Sequence, residues 1–387
     1  MDFSFTSDHL LIRDTVRQFM EAEMRPVLRA YDHDGTFPAE QIRKLGELGC
    51  CGMLVPEEWG GAGTDTVAYA IMIEEVARVC ASTAVALSVT NSVAGVPIFR
   101  HGTEQQKTKY LTRLSRGEIL GAFCLTEPQA GSDAAGIQTV AERRGDEYVL
   151  NGTKIWVTNG GVSGVYVVFA KTDASAGAKG ISAFLVEPDF PGFRIARYED
   201  KMGLRLSHSV EVHFENCRVP AENLLGAEGE GLRVALGALD GGRIGIAAQA
   251  VGLAQGALET ATKFAKQRRA FGKSISEFQA IQWMLADMET EIEAGRALTH
   301  YAAWIRDSGS RIGAHSARAK LYATEMANRV AAKAVQMHGS TGYSRESDVE
   351  RYYRDARVLT IYEGSSEMQR IVISRDLLRT PGSASSV

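Results

Sequence analysis

The sequence predicts an α+β chain in three parts: an N-terminal α-helical domain over residues 1–120, a β-domain over 121–228 and a C-terminal antiparallel four-helix bundle over 229–387. Three observations carry that prediction. Apolar residues recur at helical spacing up to about residue 120, alternate with a period of two from 121 to about 225, and return to helical spacing from 229 onward. The 387 residues suffice for two or three domains at about 150 apiece. Proline is scarce (9) and glycine plentiful (39), so long helices are expected, with glycines where backbones approach something closely.

Each part has its own signals. Near the start, Ser7 or Asp8 can cap a segment that puts Ile12, Val16, Phe19 and Met20 on one face. Pro38 suits a first helical turn, Ile42, Leu45 and Leu48 follow, and Gly49 stops that helix. Two more apolar helices fill 66–101, and Thr103 with Gln106 has capping-box spacing ahead of Tyr110, Leu111 and Leu114. In the middle part, Val210, Val212 and Phe214 alternate with Glu211 and His213, while turn clusters at 143–146 and 159–161 separate β-rich runs. A small barrel or a sandwich of two sheets is the simplest solution. Four long segments then follow, at 230–268, 277–308, 311–338 and 347–378, joined by short loops as in an antiparallel bundle. The Ser-rich end, 381–387, reads as a frayed tail.

Composition excludes several classes. Hydrophobic residues at 45% and charged residues at 23% describe a globular chain. A formal net charge of −4 leaves no electrostatic footprint for nucleic acid and no pull toward anionic lipid. The five cysteines (Cys50, Cys51, Cys80, Cys124 and Cys217) are odd in number and lack zinc-ligand spacing, so neither a disulfide framework nor a metal site is expected. The best apolar run, 165–170, suits a buried strand, and no run is read as a membrane span. The first residues lack the basic-then-apolar order of a leader, which makes a cytoplasmic protein the expectation.

Six short stretches combine residues that can do chemistry. In 123–133, a strand runs into a loop with hydroxyls at Thr126 and Ser132 and a glycine, Gly131, that lets backbone N–H groups meet a ligand. Trp156 and Thr158 end a second strand, where an indole can wall a ring. Two glycines interrupt the helical pattern at 240–243, at roughly 1 kcal/mol each, and close passage of a backbone or ligand would explain them. Arg268 and Arg269 end a helix and can clamp a diphosphate. The stretch 336–342 reads as a helix end with Gly339 in the left-handed position. Glu363 follows the apolar string 358–362, and a carboxylate so placed loses solvation and becomes a stronger base. Taken singly, each has an ordinary explanation: a strand-ending turn, a core tryptophan, a helix-dipole cation, a helix-start acid. The histidines His213, His300, His315 and His338 have no partner spacing and read as structural, and no GxSxG, Walker A or HExxH sequence is present.

Together and in this order the stretches are specific. FCLTEPQAGSD (123–133), IWVTNG (155–160), LDGGRIGIAAQA (239–250), QRRAFGKSISEFQ (267–279), QMHGSTGY (336–343) and ERYYRDARVLTIYEGSSEMQRIVI (350–373) make the chain resemble the acyl-CoA dehydrogenase family over nearly its whole length. The likeness is greatest to short-chain and short-branched-chain bacterial members. It implies FAD as cofactor, an acyl-CoA thioester as substrate, an electron-transferring flavoprotein as partner, and a homotetramer, a dimer of dimers, in which a neighbour completes each flavin site. Carried over, Phe123, Leu125, Thr126 and Ser132 line the flavin, with Ser132 also near the CoA arm. Trp156 and Thr158 meet its reactive edge; Arg268, Phe271, Gln279, Gln336 and Gly339 reach the diphosphate and adenine half across a subunit interface. Ser365 and Glu367 follow in the flavin-contacting stretch, and Asp240, Arg243, Gln249 and Gly364 contact the substrate.

Glu363 falls where most of the family keeps its base; the alternative position, before Arg243, is Gly242, which cannot act as one. The implied reaction removes an α-proton to Glu363 and passes the β-hydrogen as hydride to flavin N5, giving a trans-2-enoyl-CoA. The implied grip on the thioester carbonyl is the Glu363 backbone N–H with a flavin ribityl hydroxyl. Departures from the family pattern are Ser340 after Gly339, Thr341 where an aromatic is common, GSSE for GTSE, and Leu359 for a hydroxyl-bearing residue. Two other readings remain: an oxygen-using acyl-CoA oxidase, and a non-catalytic acyl-CoA or flavin binder.

Overall fold

Thr6, rather than Ser7 or Asp8, caps the first helix, α1 (Ser7–Phe19), of a computed structural model that describes residues 4–379. Its hydroxyl accepts from the His9 backbone N–H at 3.2 Å, and the His9 ring accepts in return from the Thr6 N–H. Three adjacent residues could cap; Thr6 is the one in extended conformation, three before the donor it serves. A π-helical turn joins α1 to α2 (Arg25–Asp34), and α3 (Ala39–Glu47) follows Pro38. The capping box of Thr103 and Gln106 forms as expected at the head of α7 (Glu104–Ser115).

Between these lie α4 (Thr66–Val79) and a continuous helix made of α5 (Ala81–Ser88), a π-helical stretch (Val89–Gly95) and α6 (Val96–His101). The π stretch ends just before Pro97, whose ring and missing N–H do not fit a regular helix interior. This 81–101 segment corrects the expectation about membrane-length runs. It is long and apolar enough to cross a bilayer, yet 94% of its apolar window is buried within the protein. Thr90, Asn91 and Ser92 break its apolar string in the sequence, and all three are buried in the core.

The middle part forms one eight-stranded mixed sheet. Its strands are β1 (Leu120–Cys124), β2 (Val140–Arg144), β3 (Glu147–Thr158), β4 (Ser163–Lys171), β5 (Ile181–Val186), β6 (Phe193–Tyr198), β7 (Ser209–Pro220) and β8 (Leu224–Leu225). The order is β6-β7-β3-β2-β4-β5-β8, with β1 paired to β4. No pairing joins β6 to β8 among the described residues, so the expected barrel is not closed. Register shifts within β3, at Leu150/Gly152 and Lys154/Val157, let the sheet bend. Along β4, Val165, Val167 and Phe169 pack with the helical residues Tyr110, Leu111 and Val234, while Tyr166 and Val168 pack with Phe184, Val212 and Phe214 of the sheet's own core.

The last part holds α8 (Gly231–Gln267), α9 (Gln279–Asp307) and α10 (Gly313–His338). The expected fourth helix is two, α11 (Asp348–Leu359) and α12 (Ser366–Leu377). Glu363 (φ 49°) and Gly364 (φ 89°) stand in the left-handed region between them, and Ser365 restarts the helix by accepting from the Met368 N–H. The expected tail at 381–387 lies outside the described residues.

Candidate active site

Glu363 belongs to the break between α11 and α12, not to a helix start. Its Oε2 is buried and has no hydrogen-bond partner among the described residues. Burial pushes its carboxyl up to about 7, with the charges of Lys320 and Arg243 acting in the opposite direction. The two glycines inside α8 make room for this cluster. A β-carbon on Gly242 would collide with Glu363 Oε2, and one on Gly241 would stand 2.8 Å from Arg306 Nη1. What passes closely is therefore a pair of charged side chains, not the backbone or ligand expected from the sequence. Arg243 is buried and paired with Asp240, and its Nε lacks a partner. Lys320, fully buried on α10, donates to the Gly364 carbonyl at 2.8 Å. Below the base, Tyr362 donates to Gln249, and Gln249 donates to the Ala81 carbonyl at 2.8 Å. Leu359 is buried nearby on α11.

The ends of β1 and β3 form a second group. The Ile155 N–H donates to the Thr126 carbonyl at 2.9 Å, so the loop carrying Leu125 and Thr126 lies beside the strand carrying Trp156 and Thr158. Trp156 adopts φ 59° and is 56% exposed, whereas Thr158 is half-buried. Phe123 packs against Phe169, and Ser132 and Gly131 are exposed at the loop tip, with nothing within 4 Å of a β-carbon built on Gly131. Asn159 ties this group to the helical core, donating to the carbonyls of Ala86 (3.0 Å) and Gly121 (3.1 Å). Both groups flank the π-helical stretch: Thr90 lies against Gly121 and Asn159, and Val93 lies against Gly242.

A third group sits elsewhere. Arg268, Phe271 and Gln279 are exposed around the two-stranded hairpin of β9 (Arg269–Ala270) and β10 (Lys273–Ser274), at the far end of α8. Gln336, Gly339, Ser340 and Thr341 are exposed at the end of α10, which His338 stacks against Phe264 of α8. Phe271 is 95% exposed, and the space beside Gly339 is open. Along α8 this group lies about 39 Å from Gly242 at 1.5 Å per residue. Ser365 and Glu367, by contrast, adjoin the base, Ser365 as a cap and Glu367 exposed in the first turn of α12.

Three family models match the chain: acyl-CoA dehydrogenase N-terminal domain over residues 6–118, middle domain over 122–217 and C-terminal domain over 229–378. The chain belongs to the acyl-CoA dehydrogenase family. It is 47% identical over 379 residues to the short-chain-specific acyl-CoA dehydrogenase of Clostridium acetobutylicum, covering 98% of this chain and 100% of that one. Butyryl-CoA dehydrogenase from Megasphaera elsdenii superposes with a TM-score of 0.96 at 45% identity, covering 98% and 100%. A chain in the structure of the electron-transferring flavoprotein of Acidaminococcus fermentans gives 0.97 at 48% identity, with the same coverage. This acyl-CoA dehydrogenase is thus an oxidoreductase of a family whose cofactor is FAD.

The residues present fit that cofactor. An exposed indole can face a ring system, while Thr126, Thr158 and the open backbone at Gly131 offer donors for its polar edge. In the separate group at the far end of α8, the exposed Arg268 is a cation of the kind a diphosphate needs, and the space beside Gly339 is open to a close approach.

Three elements of the site escape the sequence reading. Glu127, buried after β1, accepts from the backbone N–H groups of Gln138 (2.6 Å) and Thr139 (3.0 Å) and pairs with the fully buried Lys154 at 2.7 Å. Lys154 also donates to the Leu125 carbonyl at 3.0 Å, so this pair fastens the 123–133 loop to β3. The other two are Lys320 and Arg306. Lys320 had a readable signal, since it interrupts the apolar stripe of Ala317, Ala327 and Ala331 at helical spacing.

Proposed function

We propose that this chain catalyses the FAD-dependent α,β-dehydrogenation of a short-chain acyl-CoA thioester to the trans-2-enoyl-CoA, with Glu363 as the base. The observation that carries the reading is the Glu363 carboxyl itself: buried, unpartnered at Oε2 and shifted up to about 7. A base poised near neutrality takes a carbon-bound proton better than an ordinary carboxylate. When bound, FAD supplies the two-electron acceptor for the β-hydrogen. Glu363 takes the α-proton, and the electron pair of that C–H bond becomes the new double bond. The backbone after β1 and β3 orients the ring, and the buried π-helical stretch excludes water from the side facing α8.

The likeness to a short-chain-specific relative supports a short acyl group, and the chain of bonds from Tyr362 through Gln249 to the Ala81 carbonyl is a candidate for the wall that limits it. The distance of about 39 Å between Gly242 and the Arg268 group exceeds the reach of one dinucleotide. That separation supports a homotetramer in which Arg268, Phe271, Gln279, Gln336 and Gly339 serve a neighbour's flavin. Electrons then pass to an electron-transferring flavoprotein, in keeping with the context of the Acidaminococcus structure.

Anaerobic mixing with butyryl-CoA tests the reading. Wild-type protein should bleach its flavin absorbance, faster as pH rises through about 7 because only ionised Glu363 accepts the proton. Glu363→Gln should bind flavin and fail to bleach. Bleaching at the wild-type rate in that variant would remove Glu363 from the chemistry. Hydrogen peroxide formation in air without an added acceptor would favour the oxidase reading instead.

A further inference from the structure

Lys320 has no part in the reaction as written, yet it is fully buried and its ammonium donates to the carbonyl of the residue after the base, at 2.8 Å. Gln369 Nε2 donates to the same Gly364 oxygen, also at 2.8 Å. Two donors, from α10 and α12, thus hold one end of a turn in which Glu363 and Gly364 both have positive φ. Glycine adopts that backbone freely; glutamate needs surroundings that impose it. A buried cation persists where acceptors and opposite charges replace its lost hydration. Here these are the Gly364 carbonyl and the carboxylates of Glu363, Glu325 and Glu367.

We propose that Lys320 is a positioning residue for the base: its ammonium anchors the left-handed Glu363–Gly364 turn and presents a fixed positive charge to the Glu363 carboxyl. This rests on the reading of Glu363 as the base. The titratable groups around that carboxyl come from several elements: Lys320 from α10, Arg243 from α8, the Tyr69 hydroxyl from α4 and, next to it in the chain, the Tyr362 phenol. Arg306 of α9 lies against the adjoining Gly241. Both cations act on Glu363, Lys320 the more strongly: Arg243 is paired with Asp240, whereas the hydrogen bond of Lys320 goes to a neutral carbonyl. Burial holds the Lys320 ammonium down to about 8, so it is charged at neutral pH. An opposite charge favours the ionised carboxylate, so losing the cation raises the pH at which Glu363 ionises.

The pH profile of kcat/KM for butyryl-CoA, measured on the flavin-loaded enzyme, tests this. Lys320→Met and Lys320→Gln are expected to lower kcat about tenfold and to move the acid limb about one pH unit higher. Lys320→Arg should leave that limb at the wild-type position. Glutamine keeps a donor for the Gly364 carbonyl without the charge, so it decides the matter if the methionine variant does not fold. An acid limb that stays in place in the neutral variants overturns the proposal, whatever happens to kcat. Full turnover by Glu363→Gln overturns the base reading instead, so the two failures are distinguishable.

Discussion

Among the described residues, six that are not glycine have positive φ, and three of them, Trp156, Phe271 and Glu363, are residues that the family resemblance assigns to the site. Each such conformation costs about 1–2 kcal/mol and lasts only where its surroundings determine it. At Glu363 those surroundings include the absence of a side chain on Gly242, which leaves the carboxyl its space. Gly242→Ala should therefore displace the carboxyl rather than unfold α8, where alanine is the better helix former. Activity should fall more than tenfold while the thermal midpoint stays within a few degrees, as steady-state kinetics and calorimetry would show. Gly242 and Glu363 were both legible in the sequence, one as a break in helical propensity and the other as an acid ending an apolar string. Arg306 was not, because its meeting with Gly241 joins the far end of α9 to the start of α8, a contact without local signature.

At the scale of elements, the loop after β1 depends on an ion pair that bridges it to β3. Glu127 and Lys154 are both buried, so removing one partner strands a charge away from water. Lys154→Met should cost about 3–5 kcal/mol, read as a lower urea midpoint, and should loosen flavin retention through the freed Leu125 carbonyl. Local devices were readable: the capping box at Thr103 spans four residues and forms as expected. Long-range ones were not. A two-residue period identifies strands but cannot say whether the first and last of them meet, and here β6 and β8 do not. The 347–378 segment reads as one helix because helical spacing runs through it, although Glu363 also reads as a helix-start acid; the break is imposed by the left-handed turn at Glu363 and Gly364.

Across the whole molecule, tertiary bonds hold the parts in register. The Asp355 carboxylate accepts from the Leu204 N–H at 2.6 Å, and Arg354 pairs with Asp32 at 2.6 Å, joining α11 to the segment between β6 and β7 and to α2. The exposed Arg268 group is the part of the proposed site that the proposed neighbouring subunit would use. Arg268→Ala should raise the fraction of FAD lost on dilution, measured by absorbance after gel filtration, while leaving the acid limb of the rate profile unmoved. The three-part order was legible because hydrophobic period changes twice along the chain, and the separation of the two site halves was legible in the length of the 230–268 segment; the ties from α11 to α2 and to the segment between β6 and β7 were not, since no local pattern marks them.

The buried helix at 81–101 has a consequence for biosynthesis. It emerges from the ribosome well before α8, the helix that packs over α4 and α5, has been made. Until then the nascent chain displays a long apolar stretch without its cover, and chains ending short of α8 should aggregate where the full-length chain does not.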